Sequence, residues 1–587
     1  MDKVMIESSD ENFHFDMDDL NKALKHVKTG KACGLDGISP EMILHFGPKT
    51  REWLRALYNN CAETKNLPKI WRKARVVALL KPGKDPKLPG SYRPISLLCT
   101  LLKVYERLIL TTMNDTIEDQ LISDQAGFRA GKSCCGQVLN LTQYIEDGYE
   151  KGKITGTVFV DLSAAYDTIN HRKLILKVAK MVNNSNTVGI IRSILVNRRF
   201  FVEMDGKRSR WRNQKNGLPQ GSVLSPVLFN IYTNDIPCFD LVRRFIYADD
   251  LCIAAQADTF EELENILSEA LKSLATYYTG AGLNANPGKT KVCAFHLKNH
   301  LAKRKLNINW QGKKLKHDDS PVYLGVTLDR TLSFKEHVQK LRKKLSSRNN
   351  LLSTLASTKW GADPSTLRQT ALAVCYSTAE YCAAVWERSA HAGKVDAELN
   401  KACRTITGTL KATPRQALYI LAGISPPEIR RDTITRIERE KQQNDPRHPL
   451  YGHHEAQRRL KSRKSFATTN GLGQITPKAY RLAKWTGRSD LHNNALPEPR
   501  ERLPAGTNLP RRDWVALNRA RSKVARTGAN LVRWGFAEGV QCDCGEPTQT
   551  MEHLLNCCPA GPTCSDNDLR EANDVARRWL ERWRDKL

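Results

Sequence analysis

GTVFVDLSAAYDTINH, residues 156–171, begins as a β-branched, aromatic run, reaches an acid at Asp161, and then turns polar and helical. A strand end is where an acidic side chain can project into a cleft while the apolar run behind it stays buried. RRFIYADDLCIAA, residues 243–255, sets two apolar runs on either side of Ala248-Asp249-Asp250. It reads as a tight hairpin with the acids at its tip. Adjacent carboxylates among so many apolar residues are electrostatically costly unless a cation neutralises them. Asp161, Asp249 and Asp250 therefore read as one oxygen-rich site for Mg²⁺, an ion that takes carboxylates, waters and substrate phosphates. Used in pairs, such ions support in-line phosphoryl or nucleotidyl transfer.

Between these stretches lies NGLPQGSVLSPVLFNIYTNDI, residues 216–236. Gly217, Pro219 and Gly221 make a rigid loop whose backbone can approach a ligand closely, and Gln220 offers an amide to a sugar or base. Ser225 and Pro226 read as N-cap and first position of an apolar helix. Further out, short β-rich runs such as RVVALL (75–80) alternate with longer helical segments, an α+β signature. Asp16 to Val27 has the spacing of an amphipathic helix. From Phe334 to about Leu410 the reading is almost all helical. FKEHVQKLRKKLSSRNNLLSTLAS (334–357) has Leu341, Leu345, Leu351, Leu352 and Leu355 as core positions. A second helix starts at Asp363 as N-cap with Pro364 behind it.

The 587 residues suit several domains, and their formal net charge of +30 calls for a polyanionic partner, of which nucleic acid is the usual one. Forty per cent hydrophobic residues and 11 Trp suffice for sizeable cores. No apolar run approaches the roughly 20 residues of a membrane span. The acidic MDKVMIESSDENFHFDMDD at 1–19 is not a secretory signal, and 16 scattered Cys suit a reducing compartment. Composition thus points to an intracellular, multidomain, nucleic-acid-binding chain. Between Lys441 and Asn530 there are 19 Lys and Arg against 6 Asp and Glu, with few apolar clusters, so this stretch is expected to be loosely folded or dependent on RNA. RRLKSRK (458–464) within it reads as a nuclear-import signal.

Near the end, CDCGEPTQTMEHLLNCC (542–558) offers Cys542, Cys544 and His553, with Cys557 or Cys558 as a fourth ligand. Cys₃His is a common closed zinc site. With few apolar residues in the module, the metal is expected to supply much of its folding energy. The preceding segment bears Trp514 and Trp534, which suits a grip on RNA or nicked DNA.

In this order the segments resemble the reverse transcriptases of non-LTR (LINE-type, Jockey-like) retrotransposons. FVDLSAAYD is similar to palm motif A, GLPQGSVLSP to motif B, YADD to motif C, GLNANPGKTKV (282–292) to motif D and YLGVTLD (323–329) to motif E. KACGLDGI, LLKPGKDPKLPGSYRPISLL and ISDQAGFRAGKS resemble the N-terminal extension and fingers blocks. The resemblance implies a right-hand polymerase: an N-terminal extension (1–70), fingers and palm (71–330) and a helical thumb (331–425). A basic, loosely folded nucleic-acid-binding region (426–530) and a zinc-knuckle-like module with a terminal helix (531–587) follow. It makes Asp161 and Asp249 the principal ligands of two Mg²⁺ ions, with Asp250 assisting and Asp167 a structural cap. Tyr166 would exclude a 2′-OH, in a place where many LINE-type enzymes have Phe. Gln220 and Gly221 would line the nucleotide pocket. Arg93 would hold the triphosphate, helped by Lys81 or by another lysine of that loop, and Lys289 would give a proton to pyrophosphate. Lys335, Lys340, Arg342, Lys343, Lys344 and Arg348 would follow the template backbone, and the knuckle resemblance favours Cys558 as the zinc ligand.

The implied activity is RNA-directed DNA synthesis from dNTPs on an RNA template, primed by nicked target DNA. The implied place is the nucleus, with assembly on element RNA in the cytoplasm. Such proteins usually carry an N-terminal endonuclease, and this sequence starts at the fingers extension. The expectation is either a piece of a longer reading frame or reliance on a separate endonuclease. A group II intron maturase or telomerase fits the Cys/His tail less well. The rival reading is a non-catalytic, retroelement-derived RNA-binding protein.

Overall fold

The computed structural model describes residues 14–357, 361–453, 459–460, 463–488 and 493–587. They form two compact units: the chain up to Gln137 with Gly152–Asp318, and Val138–Lys151 with Asp319–Leu587. Among the described residues no helix is long and apolar enough to cross a membrane. The expected import signal falls partly outside them, at 458 and 461–462.

In chain order the principal strands of the first unit are β1 (Lys73–Leu80), β2 (Tyr92–Leu97), β3 (Ile154–Val160), β4 (Arg198–Met204), β5 (Lys207–Arg208), β6 (Arg212–Gln214), β7 (Val242–Tyr247), β8 (Asp250–Ala257) and β9 (Lys291–Phe295). One sheet pairs β2 with β1 antiparallel and β1 with β4 parallel, with β5 and β6 completing it. The other runs Lys316–His317, β9, β3, β8, β7. β3 (ITGTVFV) has a partner on both edges and is buried along almost its whole length, which suits its β-branched and apolar residues and the absence of any charge. Helix Phe260–Ala281 packs on β3 and β8, starting at its Thr259 cap and ending where Gly282 takes φ +71°. A Cβ at Gly156 would come within 2.7 Å of Leu263, so only glycine lets helix and strand lie this close.

The N-terminal helices join the same core. Asp16 and Asp19 form a reciprocal capping box at the start of Met17–Lys25, and Phe15, Leu20 and Leu24 are buried with Tyr58, Trp71 and Tyr105. The helix stops short of the expected Val27 because His26 and Val27 close it as a tighter turn, their N–H groups reaching Ala23 and Leu24.

The second unit is helical over most of its length. Helix Lys335–Thr354 buries Leu341, Leu345 and Leu352, but Leu351 and Leu355 are 55% and 36% exposed. These two sit about a quarter turn off the buried stripe, which corrects their expected place in the core. Arg348 donates to Val374 O and Thr378 Oγ1, a structural task in place of the expected phosphate contact. Asp363 caps Pro364–Ala371 as the sequence suggests, accepting from Ser365 N and Thr366 N.

The described residues of the 426–530 region, expected to be loosely folded, include three helices joined by irregular stretches. Helices Pro427–Asn444, Pro477–Thr486 and Arg511–Arg521 run through it, with Trp485 and Trp514 buried. Its cations are divided between carboxylates, as in Arg430–Glu380, Arg431–Asp396 and Arg481–Glu501, and backbone carbonyls. Arg511 donates to Thr405 O and Ile406 O at a helix end, and fully buried Arg521 donates to Leu569, Ala505 and Arg570 carbonyls. A guanidinium fork satisfies several acceptors at once, so a basic stretch can build an interior. Trp514 belongs to that interior, its indole N–H on Ile406 O at 3.1 Å, and is no surface ring. Residues 138–151 bring Glu146, whose carboxylate pairs with Arg388 at 2.6 Å and accepts from Ser465, while Tyr149 donates to Arg330 O.

Candidate active site

Asp161 follows the last residue of β3, and the loop after helix 260–281 holds it there. Its carbonyl accepts from Asn286 N at 2.8 Å, and its N–H donates to Thr290 Oγ1 at 3.2 Å. β7 and β8 are joined by Ala248 and Asp249 alone, with Tyr247 opposite Asp250. Val160 pairs with Leu251, so one further step of the register sets Asp161 opposite Asp250. The three expected acids thus converge, two strand ends delivering them to one edge of the sheet.

Their electrostatics are those of a site short of positive charge. Burial, then the charges of Asp249 and Asp161, push the Asp250 carboxyl up to about 6. Burial raises Asp249 as well, although by surface area both Asp249 and Asp250 are open to solvent. For Asp161 burial raises the value, Lys289 lowers it, Asp249 raises it and Lys81 lowers it. Lys289 Nζ stands 4.0 Å from Asp161 Oδ2, which is buried and has no hydrogen-bond partner among the described residues. An orphaned carboxylate oxygen beside two further acids fits a hard divalent cation.

This raised value makes a pH prediction. The folded protein holds its Asp250 proton more tightly than an ordinary carboxyl does, so the metal-free fold is penalised as pH climbs from near 4 through about 6. A cation must displace that proton below about 6. Stabilisation of the protein by Mg²⁺, read as a rise in Tm, is expected to be constant above pH 7 and to fade as pH drops from 6 to 5. A rise that is the same at pH 5 and pH 8 would remove Asp250 from the site.

The turn carrying Asp249 is held by a residue to which the sequence reading gave no role. Ala248 has φ +56°, a left-handed backbone costly for a residue with a side chain. Buried Gln125 grips it: Oε1 accepts from Ala248 N and Gly127 N, each at 2.8 Å, and Nε2 reaches Ala248 O at 3.4 Å. A Cβ on Gly127 would run into Ala248 N, which explains Gly127. Asn230 holds Gly127 O at 2.9 Å. The sequence signal was the Asp-Gln-Ala-Gly run itself, but its partner lies 123 residues away.

Tyr166 stacks on Phe229 with ring centroids 4.7 Å apart and planes 5° from parallel. Burial and then the charge of Asp249 raise its hydroxyl, which has no hydrogen-bond partner among the described residues. Ala164 and Asn170 bracket it in a turn, and the cap expected of Asp167 is supplied by Asn170 at the start of His171–Val182. In the 216–225 loop, the close approaches that require glycine are to the protein itself. A Cβ at Gly217 (φ +84°) would lie 2.8 Å from Asp167 O, and one at Gly221 (φ +132°) 2.6 Å from Ser96 O. Gln220 O accepts from Ser96 N at 2.8 Å, which ties its loop to β2. Ser225 is the first residue of helix Ser225–Tyr232 and not its cap. Leu224 stands at the cap position without a side-chain bond, and Ser222 just before it has its Oγ accepting from Leu224 N and Ser225 N while donating to buried Glu106. On β2, Arg93 is exposed opposite Leu79, and Lys81 Nζ donates to Gly90 O at 3.0 Å.

In the second unit, Cys542, Cys544, His553 and Cys558 bring their ligand atoms within 4.8 Å of one another. Cys544 Sγ is 3.2 Å from His553 Nε2, and Cys542 Sγ is 3.9 Å from Cys558 Sγ. Zn–S bonds of about 2.3 Å at tetrahedral angles put two sulfurs about 3.8 Å apart, so the group fits zinc. Cys557 is exposed, which decides between the two candidates in favour of Cys558. The module is less poor in apolar contacts than expected: Leu554, Leu555, Trp579 and Trp583 share a core with Ala516 and Leu517.

Residues 79–328 match the family described as reverse transcriptase (RNA-dependent DNA polymerase). The chain is 32% identical to the probable RNA-directed DNA polymerase from transposon BS of Drosophila melanogaster, over 58% of this chain and 39% of that one. It is 29% identical to the RNA-directed DNA polymerase from mobile element jockey of Drosophila funebris, over 57% and 37%. The Pol polyprotein from type-1 retrotransposable element R1 of Bradysia coprophila is 24% identical over 95% of this chain and 55% of its own length. The chain therefore spans about two fifths of the first two relatives. Residues 79–328, which contain all three acids, are a reverse transcriptase domain, and the chain is similar to the polymerases of jockey and related Drosophila transposons.

Proposed function

We propose that the chain is an RNA-directed DNA polymerase that extends a primer 3′-OH with dNTPs on an RNA template, the primer being nicked target DNA. The observation that carries this is the convergence of Asp161, Asp249 and Asp250 at the ends of paired strands, with one Asp161 oxygen buried and without a hydrogen bond among the described residues. Asp161 and Asp249 would hold two Mg²⁺ ions, with Asp250 contributing mainly charge. Bound Mg²⁺ supplies the activation of the attacking hydroxyl and the neutralisation of the phosphates. The 3′-hydroxyl gives its proton to solvent and its oxygen bonds to the α-phosphorus as the bond from that phosphorus to the bridging oxygen of the β-phosphate breaks; pyrophosphate departs and would take a proton from Lys289. Arg93 and Lys81 bind the triphosphate through charge-assisted hydrogen bonds. Gln220 and Gly221 line the nucleotide pocket. The exposed Lys335, Lys343 and Lys344 follow the template backbone, where contacts give affinity without sequence readout.

Cys542, Cys544, His553 and Cys558 would hold a zinc ion that braces a nucleic-acid-binding module. The protein would act in the nucleus after assembling on its RNA in the cytoplasm, on a nick made by an endonuclease activity. Primer extension on poly(rA)/oligo(dT) with Mg²⁺ tests the reading. Binding without extension would make the chain a non-catalytic RNA-binding protein.

Sugar choice gives a second test. The Tyr166 ring, fixed against Phe229, would close the space a 2′-OH needs. Tyr166→Ala is expected to raise rNTP incorporation about tenfold or more relative to dNTP, since a lost steric contact is worth on the order of 1–3 kcal/mol. Unchanged rejection of rNTPs would take Tyr166 out of the pocket.

A further inference from the structure

The second unit has a cavity of about 940 Å³ lined by Leu410, Lys411, Ala412, Arg526, Leu531, Trp534 and Phe536. It lies outside the carboxylate site and the Cys/His cluster. Helix Gly528–Arg533 ends at Trp534; Gly535 then takes φ +78° and Phe536 N returns to Leu531 O at 2.8 Å. This reversal leaves the Phe536 side chain outside the packed core, 78% exposed, next to a half-buried Trp534. An exposed phenyl ring is costly to keep in water, and here it faces a cavity of small-ligand size. The charged residues of the lining are both cationic. Lys411 and Arg526 are exposed and make no ion pair among the described residues.

Two aromatic rings and two free cations around one cavity, with no acid in its lining, call for a flat, apolar group carrying negative charge beside it. A nucleotide has that chemistry, and only an unpaired one presents the faces of its base. We propose that this cavity takes an unpaired nucleotide of a single strand, its base against Trp534 and Phe536 and its phosphates beside Lys411 and Arg526. The inference rests on reading the chain as a nucleic-acid polymerase. It adds to that reading a stacking site remote in sequence from the catalytic acids, one that tolerates any base because every base has a π-face.

The test uses the full chain without dNTPs. Anisotropy is measured with labelled oligo(U), oligo(dT) and duplex DNA, and extension is measured separately on saturating template–primer. Phe536→Ala and Trp534→Ala should each weaken both single strands about tenfold while duplex binding stays as in the parent. Trp534→Phe should keep most of the affinity. Replacing Lys411 and Arg526 together by Ala should flatten the slope of log affinity against log salt by about 1.4. A loss confined to oligo(U) or to oligo(dT) would support the site and name its strand. Single-strand affinity unaltered by Phe536→Ala, or an equal loss on duplex, overturns it and leaves the face to an apolar protein segment. A parent chain that extends primers while Phe536→Ala binds like the parent defeats the inference alone. A parent that never extends, yet loses single-strand affinity in Phe536→Ala, defeats the polymerase reading alone.

Discussion

Asp249→Asn is expected to lower primer extension about a thousandfold or more, since loss of even an outer-sphere partner of a metal costs about 10–100-fold and this removes an anionic ligand. Template–primer affinity should stay within about twofold, because basic side chains and not the acids hold the nucleic acid. Stability separates this outcome from misfolding. Asp249 is one of the charges that raise Asp250, so neutralising it relieves a repulsion in the metal-free protein. The variant should therefore melt higher than its parent at pH 8 without Mg²⁺, and by a smaller margin at pH 4, where Asp250 carries its proton and repels Asp249 no longer. A variant that melts as expected and still extends primers at the parental rate would show that the metal sits elsewhere.

Gln125→Met should leave the core filled and the catalytic turn unheld. Methionine matches glutamine in length but offers neither the acceptor for Ala248 N and Gly127 N nor the donor for Ala248 O. Each buried N–H left without a partner costs about 1–3 kcal/mol, and the left-handed Ala248 gives the turn a reason to relax. An error of about 1 Å in a reacting group can cost about 100-fold, so extension should fall by that order. Because Gln125 positions a metal ligand, raising Mg²⁺ should recover part of the loss. A purely structural role would lower Tm without altering the Mg²⁺ dependence.

The acids were legible because a buried strand ending in Asp and a two-residue hairpin carrying Asp-Asp are local patterns, and the order of blocks along the chain did the rest. The Cys/His set was legible for the same reason, short of the choice between Cys557 and Cys558, which needed the exposure of Cys557. Gln125 was not: an amide has no composition signature, and what it binds is backbone far along the chain. Ser225 and Ser222 show a smaller failure, since either serine can serve the same turn and only its partner Glu106 selects Ser222. The basic 426–530 stretch shows a more general limit. Counting charges treats Arg as surface, whereas Arg511 and Arg521 serve as multi-donor plugs for carbonyls inside a helical unit.

Residues 138–151 belong with the helices that begin some 180 residues later, a debt of connectivity that shows when the gene is dissected. A fragment opening at Asp319 would lack Glu146 and strand Arg388 in an interior with no counter-charge, and would also lose the Tyr149 anchor on Arg330. An uncompensated buried charge costs about 3–5 kcal/mol, a large part of a domain's stability. Truncation series cut at sequence-drawn borders would therefore report misfolding as loss of binding. A faithful dissection must graft the 138–151 helix onto the C-terminal fragment or keep the chain whole and silence its sites one side chain at a time.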